Sequence, residues 1–564
     1  IPYTFSGEPF IANIQTAVFY PLNIIFFSVF PAYLAFGYSY LLHIFLAGLF
    51  MYIFARYIKL DRTSSLLSSI IFMFSGFFVA HIYMGHYTII AVACWIPLIF
   101  LLFEIALNKQ SLFYGLITGV FIGFQFLAGH MQISIYILFA LGLYLLFRSF
   151  LVIRENRDYK MAPKLFSIFT LALVVGILLS AIQLVPSLEL SKYTTRAGGV
   201  SYDFASSYSF PLQNFITFVL PNFFGNPATD TFWNVWNYWE LSQYIGILPL
   251  ILVFLAIYFK RDNKYVLFFT GLAFLSLLLA LGRNTPVYWL LWKFVPGFNM
   301  FRCPSRFLFL FTFSASILSG FGFNFLKEKS TLPEKEKIWK FIKILAVLTL
   351  LLVCVIVVAY IGRSQIIQFG QKMAEQTYFA IDHPRYPLDY YLQKVPLVYS
   401  TIIGDLLTLL VLSVGSVTIL ALRINERISI KYFNIIVILF VLSNLWFYHI
   451  GFIDTKNPEE IYSKPDYVVF LKVNSEGYRV YDVDNKIPDN FQIIYGIHEV
   501  SAFNPLKLRD YYQVLNCIHN LSDNKNHPIL NLLNVKYILT STQLNNSGFK
   551  LVFNKNNTYI YENE

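Results

Sequence analysis

Long runs of apolar residues recur along most of the chain, and short polar segments separate them. A membrane-spanning helix needs about 20 mostly apolar residues, so this pattern predicts a succession of such helices. Gly129 lies between two adjacent runs, which leaves a single bent helix as the alternative at that point. The twelve predicted spans cover residues 33–58, 64–82, 87–107, 112–130, 131–150, 165–186, 240–259, 265–282, 306–326, 343–361, 398–422 and 433–451.

The two ends of the chain follow different patterns. Residues 1–32 include GEPFIANIQTAVFYPLN, a half-polar run bracketed by Pro9 and Pro21. At the other end, short β-rich runs between Asn, Asp and Gly predict strands. We therefore expect a small α+β domain over 452–564, after a transmembrane domain over 33–451. The predicted strands lie in GYRVYDV from Gly477, VKYILTS from Val535, KLVFN from Lys550 and TYIYEN from Thr558.

The composition defines the class of protein. Hydrophobic residues make up 57% of the 564 residues and charged residues only 13%, whereas a soluble domain carries roughly 25% charged residues. This chain could not stay dispersed in water, so we predict a polytopic α-helical membrane protein. The four cysteines form no CxxC pattern, so neither a structural zinc site nor a disulfide framework is indicated.

The basic residues are distributed unevenly among the loops. They follow the first, fifth, seventh, ninth and eleventh predicted spans, for example at Lys59, Arg148, Lys260, Lys327 and Arg423. With twelve spans these loops all lie on one side, which the positive-inside rule makes the cytoplasm. The net charge of +11 therefore does not indicate a nucleic-acid partner. The other loops and the C-terminal tail are expected to face outward.

Two of the expected outer hairpin tips carry histidine. AHIYMGHY contains His81 and His86, and AGHMQ contains His130 and Gln132. Two tips that each carry a Gly-His pair suggest one shared site. The alternative is that these histidines are ordinary residues of the membrane interface. No HxH or HExxH spacing favours a metal site.

The segment WNVWNYWELSQYIGILPL places Glu240 at the outer end of a predicted span. A carboxylate at this depth is expected to face protein or a water-filled cavity rather than lipid. Gln243 is spaced one helical turn further on, which favours a site. The neighbouring tryptophans favour the alternative, an anchoring belt at the interface with a solvated Glu240.

VPGFNMFRCPSRFLFLF contains Arg302 and Arg306, which lie on one face if the segment is helical. Arginine suits bidentate phosphate binding, so the pair is a candidate anion clamp on the outer side. The alternative is pairing with an outer acidic residue or with lipid headgroups. Lys192 and Arg196, in another outer loop, are further candidates for an anionic substrate, and the alternative, favoured by default, is an ordinary solvated loop.

Several polar residues lie inside predicted spans and need partners there. They are His43, Gln125, Gln183 and Asp405, and each is equally consistent with helix–helix hydrogen bonding. Glu104 lies near the inner end of its span, where we expect its side chain to reach the interface.

Seven motifs in order resemble the bacterial YfhO membrane protein family, which is similar to the GT-C glycosyltransferases. They are GEPFIANIQTAVFYPLN, FSGFFVAHIYMGHY with WIPLIF, AGHMQISIY, LVPSLELSKYTTRAG, YWELSQYIGILPLIL, GRNTPVYWLLWKFVPGFNMFRCPSR and ILNLLNVKYIL. The resemblance covers essentially the whole chain. It implies a GT-C-like fold and transfer of a sugar from a polyprenyl-phosphate donor to an envelope glycan such as a teichoic acid. The reaction is expected at the outer face of the bacterial cytoplasmic membrane, and the use of a divalent metal stays open.

The resemblance also implies roles for particular residues. Residues 1–32 look like the end of a first outer loop with an interfacial helix, and the main catalytic base is expected before Ile1. Arg302 and Arg306 suit the leaving lipid phosphate. The expected catalytic residues are Glu240 and His86, and the expected substrate-binding residues are His130, Gln132, Arg302, Arg306, Glu8, Gln15 and Arg196.

Two other functions remain as alternatives. A transporter or flippase of lipid-linked glycans is expected to show paired repeats and polar groups at mid-membrane, and the sequence has no evident repeat and few such groups. A non-catalytic envelope assembly protein whose tail binds partners is the other alternative.

Overall fold

The chain folds mostly into α-helices, with one small sheet near its C-terminal end, as a computed structural model shows. The structure describes residues 1–156, 159, 161–328, 331–380, 386–453, 455–504, 506–518, 528–545 and 548–563. These residues form two compact units. Unit 1 comprises Ile1–Phe19, Ala181–Val200 and Thr455–Glu564, and unit 2 comprises Tyr20–Ser180 and Ser201–Asp454.

Unit 2 contains the apolar helices, except that the helix Met161–Ser191 belongs to unit 1 from Ala181 onward. Some of them begin at a side-chain cap: the Asp61 side chain accepts a hydrogen bond from the Ser64 N–H (2.8 Å), and Thr331 and Glu334 form a capping box. The helices up to the sheet are α1 Pro21–Val29, α2 Ala32–Tyr57, α3 Arg62–Met73, α4 Gly76–Tyr83, α5 Tyr87–Ala93, α6 Ile96–Lys109, α7 Leu112–Leu127, α8 Met131–Asn156, α9 Met161–Ser191, α10 Tyr202–Ala205, α11 Tyr238–Leu241, α12 Ile247–Phe259, α13 Lys264–Ala280, α14 Pro286–Phe294, α15 Leu308–Lys327, α16 Leu332–Ile361, α17 Arg363–Phe379, α18 Leu388–Ile424 and α19 Ile430–His449.

Helices appear at all the predicted spans, but not all are long enough to cross a membrane. Within the described ranges, nine helical segments meet both the length and the hydropathy needed, and three apolar helices are shorter. The shorter ones are α7, α12 and α13. The predicted number of twelve spans is therefore not confirmed. The prediction of a mostly helical, multi-pass membrane protein is confirmed. Gly129 separates α7 from α8 with φ of +99°, so these are two helices rather than one bent helix.

Polar residues inside the helices find partners in unit 2. The ring of His43 lies 2.9 Å from the Tyr20 hydroxyl. Asp405 accepts hydrogen bonds from the main-chain N–H (2.6 Å) and the side-chain amide (2.9 Å) of Asn222. Gln125 donates to the Ser134 carbonyl (3.1 Å). These contacts fit the interpretation of such residues as hydrogen-bonding groups between elements.

The loops that were expected to share one side of the membrane contact one another. Lys327 pairs with Asp61 at 2.5 Å, and Lys260 pairs with Glu328 at 2.5 Å. Arg423 donates to the Leu326 carbonyl (2.8 Å). The basic loops after the first, seventh, ninth and eleventh predicted spans therefore lie at one end of unit 2.

Glu104 lies at the same end of unit 2. The prediction that its side chain reaches the interface is wrong. Its side chain is 0% exposed and accepts hydrogen bonds from the hydroxyls of Tyr144 (2.8 Å) and Tyr265 (2.7 Å). Its main charged partner is Arg148, which forms a buried salt bridge with it. Burial is compensated here because each carboxylate oxygen has partners.

Unit 1 contains the sheet, and its four strands coincide with the predicted β-rich runs. Strand β1 pairs in parallel with β2, and β4 pairs antiparallel with both β2 and β3, which gives the order β1-β2-β4-β3. Asn556 and Asn557, both with positive φ, form the tight turn between β3 and β4. The elements are α20 Pro458–Ile461, α21 Asp466–Asn474, β1 Arg479–Asp482, α22 Phe491–Tyr495, α23 Arg509–Asn516, α24 Pro528–Leu532, β2 Val535–Thr540, β3 Phe549–Lys555 and β4 Thr558–Asn563.

Glu499 makes the stability of unit 1 depend on pH. The residue is 5% exposed, and burial raises the pKa of its carboxyl to about 8 although the Ser501 hydroxyl donates to it at 2.6 Å. The unfolded carboxyl has a pKa of about 4.3. Between these two values the folded state binds the proton more tightly, so the stability of unit 1 falls as the pH rises, by up to about 1.4 kcal/mol per pH unit.

Replacing Glu499 with glutamine is expected to remove this dependence and to stabilise unit 1 near pH 8, because the buried group no longer ionises. Hydrogen exchange of the β2 amides in the whole protein, corrected for intrinsic rates and compared between about pH 5 and about pH 8, measures the effect. Glu562→Gln is the matched control, since Glu562 pairs with Lys536 and is 29% exposed. An equal pH slope in Glu499→Gln and wild type would contradict the assignment.

Candidate functional site

The segment that carries Glu240 is not the helix end that the sequence predicted. Helix α11 is only four residues long, and the chain is then extended until Gly246, where φ is +98° and α12 begins. Gly76 lies at the break between α3 and α4 and donates from its N–H to the Tyr244 carbonyl (2.8 Å). A Cβ on Gly76 would lie 2.9 Å from the Tyr244 nitrogen, so this close approach requires glycine.

Glu240 and Arg306 form a buried ion pair. Arg306 belongs to the 3-10 turn Pro304–Phe307 that precedes α15. Its Nε lies 3.1 Å from both carboxylate oxygens of Glu240, and its Nη2 lies 2.6 Å from Oε1. Glu240 is 4% exposed. Arg306 therefore pairs with an acidic residue, which was the alternative to an anion clamp. Contacts of a guanidinium with both oxygens of a carboxylate are among the strong charge-assisted hydrogen bonds.

Gln132 connects this ion pair to the first turn of α8. Its Oε1 accepts a hydrogen bond from Arg306 Nη1 (2.9 Å). Its Nε2 donates to the Tyr136 hydroxyl (2.8 Å) and to the Arg302 carbonyl (2.7 Å). The amide thus holds both the guanidinium and the main chain of the segment that carries it.

Three histidines surround the ion pair. The Nδ1 atoms of His81 and His86 are 3.0 Å apart, so one ring donates to the other according to their tautomers. His130 accepts a hydrogen bond at its Nδ1 from the Ile133 N–H (3.2 Å) at the start of α8. The electrostatic field of Glu240 and Arg306 acts on the rings of His86 and His130, so the two predicted histidine tips do converge.

The electrostatics of the cluster follow from burial and from the ion pair. Burial by itself raises the pKa of Glu240, but the Arg306 guanidinium outweighs it and lowers the pKa to about 2. Burial lowers the pKa of His86 and of His130 below the ordinary value. At physiological pH the cluster therefore contains an ionised carboxylate and neutral imidazoles. Such imidazoles accept hydrogen bonds or protons, whereas Glu240 is a weak base while Arg306 holds it.

The Arg302 side chain packs against aromatic rings, and no described contact joins it to the ion pair. The sequence predicted that Arg302 and Arg306 share one face if the segment is helical. Residues Phe301–Cys303 are not helical, so this prediction does not apply. The Arg302 guanidinium lies over the rings of Phe204 (5.4 Å) and Tyr208 (5.5 Å). In the described part of the chain it has no salt bridge, which leaves its N–H groups available for an anion.

Glu8, Gln15 and Arg196 belong to unit 1, whereas the cluster lies within unit 2. Glu8 accepts hydrogen bonds from Thr4 (3.0 Å), Asn13 (3.3 Å) and Asn504 and lines a small pocket together with Phe5, Tyr511 and Tyr512. Gln15 is exposed. Arg196 is half-buried, and its main-chain N–H donates to the Thr194 hydroxyl (3.3 Å).

Two members of the cluster were not among the predicted site residues. His81 lies in the same hairpin motif as His86, so the motif itself was a signal for it. Tyr136 lies one helical turn after Gln132 in α8, and a tyrosine in an apolar run gave no such signal. Among the described residues, no group of three or more His, Cys, Asp or Glu side chains is placed to hold a metal ion.

Apolar helices long enough to span a bilayer, together with a buried polar cluster at one end, define a multi-pass α-helical membrane protein. The family described as bacterial membrane protein YfhO matches residues 14–564, and the chain belongs to that family. The resemblance seen in the sequence is thereby confirmed. No curated protein matches the chain.

Proposed function

We propose that this protein is a glycosyltransferase with a GT-C-like fold that acts at the outer face of the bacterial cytoplasmic membrane. It transfers a sugar from a polyprenyl-phosphate donor to an envelope glycan such as a teichoic acid. The observation that carries the proposal is the convergence of Glu240, Arg306, Gln132 and the histidines in one buried cluster. Titratable groups with shifted pKa values that gather in one place are typical of functional sites.

The position of the cluster supports an outward-facing site. Arg306 lies two residues before α15, whose 20 residues span about 30 Å. Lys327, at the other end of α15, belongs to the basic loops. Because basic loops favour the cytoplasm, the cluster at the opposite end of this helix is proposed to face outward, as is the tail over 452–564.

The reaction requires a nucleophile, a proton acceptor and a stabilised leaving group. An acceptor hydroxyl oxygen attacks the anomeric carbon, the bond from that carbon to the phosphate oxygen breaks, and the lipid phosphate leaves with the electron pair. The hydroxyl proton passes to a base. Arg302 is the cation best placed to stabilise the phosphate, because its guanidinium has no salt bridge within the described residues.

The remaining groups are proposed to hold the substrate. The half-buried ring of His86 is neutral and suited to accept a hydroxyl proton beside Glu240. His130 and Gln132 hold hydroxyls, and Arg306 positions Glu240 and Gln132. Separately, Glu8, Gln15 and Arg196 are proposed to bind acceptor glycan in unit 1; for Glu8 this is supported by the aromatic residues that line its pocket.

Transfer by the purified whole protein in detergent tests the proposal. The donor is a polyprenyl-phosphate sugar with a labelled sugar, and the acceptor is teichoic acid from cells that lack the protein. Detergent removes the two membrane sides, so a flippase gives no protein-dependent product in this assay. Labelled acceptor that depends on the protein is expected. A protein that does not raise transfer with any envelope acceptor would overturn the proposal.

Replacing Arg302 with alanine is expected to lower kcat/KM for the donor about 10- to 100-fold, because a charge-assisted hydrogen bond contributes about 1.5–3 kcal/mol. The melting temperature should hardly change, since the substitution leaves no carboxylate unpaired. Arg302→Lys is expected to restore part of the activity.

The control for this substitution is Lys293→Ala. Lys293 is also a cation over an aromatic ring, 4.6 Å from the ring of Trp289, and it lies outside the cluster. Unchanged turnover in a folded Arg302→Ala variant would remove Arg302 from the site.

A further inference from the structure

The C-terminal end of helix α4 brings His81 and His86 into contact. The Gly85 N–H donates to the Ile82 carbonyl (2.9 Å), and the His86 N–H donates to the His81 carbonyl (2.9 Å). Gly85 itself adopts a φ of +70°. These two hydrogen bonds and the left-handed glycine define a Schellman motif, which places the side chains of His81 and His86 beside each other.

A hydrophobic contact commonly joins these two positions of the motif. Here both positions hold imidazoles, and the Nδ1 atoms of the two rings are 3.0 Å apart. Burying polar groups costs free energy unless they are hydrogen-bonded, and an apolar pair would serve the end of the helix equally well. The two histidines therefore point to a role in chemistry rather than in helix termination.

The short contact restricts where the protons of the two rings lie. A neutral imidazole carries one proton, so one of its nitrogens donates and the other accepts. Only one proton fits between the two Nδ1 atoms. The ring that donates this proton has an unprotonated Nε2, and the ring that accepts it carries its own proton on Nε2. The pair thus has a single Nε2 that can take a proton from a substrate.

The surroundings of the two rings decide which Nε2 this is. His81 is 1% exposed and packs against the ring of Phe77, with ring centroids 4.7 Å apart, so it offers no nitrogen to a substrate. The ring of His86 is half-buried, and the electrostatic field of Glu240 and Arg306 acts on it. The accessible ring, His86, is therefore the one that can exchange a proton with a bound molecule.

We propose that His81 is a positioning residue that acts through His86. Its Nδ1 accepts a hydrogen bond from the Nδ1–H of His86, which fixes His86 in the tautomer whose Nε2 is free to accept a proton. An acceptor at Nδ1 has the same effect on the histidine of a catalytic triad. The fixed tautomer rests on the contact alone, whereas the source of the proton, an acceptor hydroxyl, rests on the proposed function.

The hydrogen bond to His81 also strengthens during the proposed reaction. The Nε2 of His86 takes the proton of the acceptor hydroxyl, and the electron pair of the broken O–H bond remains on the oxygen that attacks the anomeric carbon. The phosphate oxygen leaves with the electron pair of its bond to that carbon. Because His86 becomes an imidazolium, its hydrogen bond to His81 becomes charge-assisted. A bond that is stronger in the transition state than in the ground state lowers the barrier.

Solid-state NMR on the whole protein in lipid bilayers tests the tautomers without any substrate. Labelling the histidine rings with ¹⁵N shows which nitrogen of each ring carries the proton. The signals of the two rings are identified by their absence from His81→Leu and His86→Leu. We expect the proton of His86 on Nδ1 and that of His81 on Nε2, and the opposite pair of tautomers would overturn the inference.

Two substitutions of His81 separate positioning from packing. Leucine restores an apolar contact but offers no acceptor, so His81→Leu should lose the Nδ1–H tautomer of His86. It should lower kcat for transfer about 10- to 100-fold with little change in KM, the loss expected for a hydrogen bond to a charged group. The Oδ1 of asparagine can accept in place of the imidazole, so His81→Asn should keep the tautomer and most of the activity.

The melting temperature of His81→Leu should equal or exceed that of the wild type, because an apolar pair suits the Schellman motif. His449→Leu is the matched control. His449 is also a buried histidine at the end of a helix, and its Nε2 has no partner among the described residues. Its ring contacts Tyr448, with ring centroids 4.6 Å apart. The His86 signals and transfer should both stay unchanged in this control.

A double variant tests whether His81 acts only through His86. In the His86→Leu background, His81→Leu should cause no further loss of transfer, and additive losses would contradict the proposed coupling. The proposed function can fail separately. The expected tautomers without protein-dependent transfer would overturn only the transferase proposal. Transfer that is as fast in His81→Leu as in the wild type would overturn only the role of His81.

Discussion

Replacing Glu240 with glutamine is expected to abolish sugar transfer and to lower the free energy of unfolding by about 3–5 kcal/mol. The variant keeps the shape of the side chain but removes its charge, so the Arg306 guanidinium stays buried without a counter-charge. Gln132, which contacts the same guanidinium at 2.9 Å, would lose its fixed position. Unfolding in mixed micelles and the transfer assay measure the two effects.

The double variant Glu240→Gln with Arg306→Gln separates stability from function. It leaves neither charge of this ion pair in the cluster, and replacing a buried ion pair by uncharged groups is often close to neutral for stability. We therefore expect the double variant to recover most of the lost free energy of unfolding while transfer remains absent. Additive losses from the two single variants would contradict the direct coupling of this pair.

Replacing Glu104 with alanine is expected to destabilise the basic end of unit 2 by a similar amount, about 3–5 kcal/mol, because Arg148 is then buried without its carboxylate. The hydroxyls of Tyr144 and Tyr265 would lose their acceptor as well. The free energy of unfolding and the yield of folded protein measure the effect. Activity per folded molecule should change little, since the Glu104 network lies at the basic end, with Lys264, the first residue of α13, as a further partner.

Glu328→Ala is the control for this prediction. Glu328 also pairs with a lysine, Lys260, but its side chain is 47% exposed. An exposed ion pair of this kind contributes about 0–1 kcal/mol. Equal losses in Glu104→Ala and Glu328→Ala would show that burial of Glu104 does not decide its energetic role.

The sequence predicted helix positions well where an apolar run is long, because the length and hydropathy of a run are local properties. It predicted them poorly at the segment 240–259, where the helix begins only at Ile247. There the apolar run continues, but Gly246 adopts a positive φ and Tyr244 accepts a hydrogen bond from Gly76. A contact between distant segments thus overrides the local preference for helix.

The sequence predicted which residues come together in the cluster better than it predicted the contacts between them. His86, His130, Gln132, Glu240 and Arg306 do lie together. The helical segment that would place Arg302 and Arg306 on one face does not form, because Pro304 begins a short 3-10 turn and the preceding residues are not helical. The choice of Glu240 as the partner of Arg306, 66 residues away, has no signature in spacing or composition.

By itself, the sequence determined that this is a multi-pass membrane protein of the YfhO family with four short strands in its tail, because burial of apolar runs and strand propensity act over neighbouring residues. The tertiary structure alone decided which charges are paired and which polar groups are left unpaired. Glu104 was expected to reach the interface and is buried, and Asn214 drew no attention although its side-chain amide has no hydrogen-bond partner among the described residues. The physical reason is that desolvation and hydrogen bonding depend on which distant segments pack together, and that information is not local.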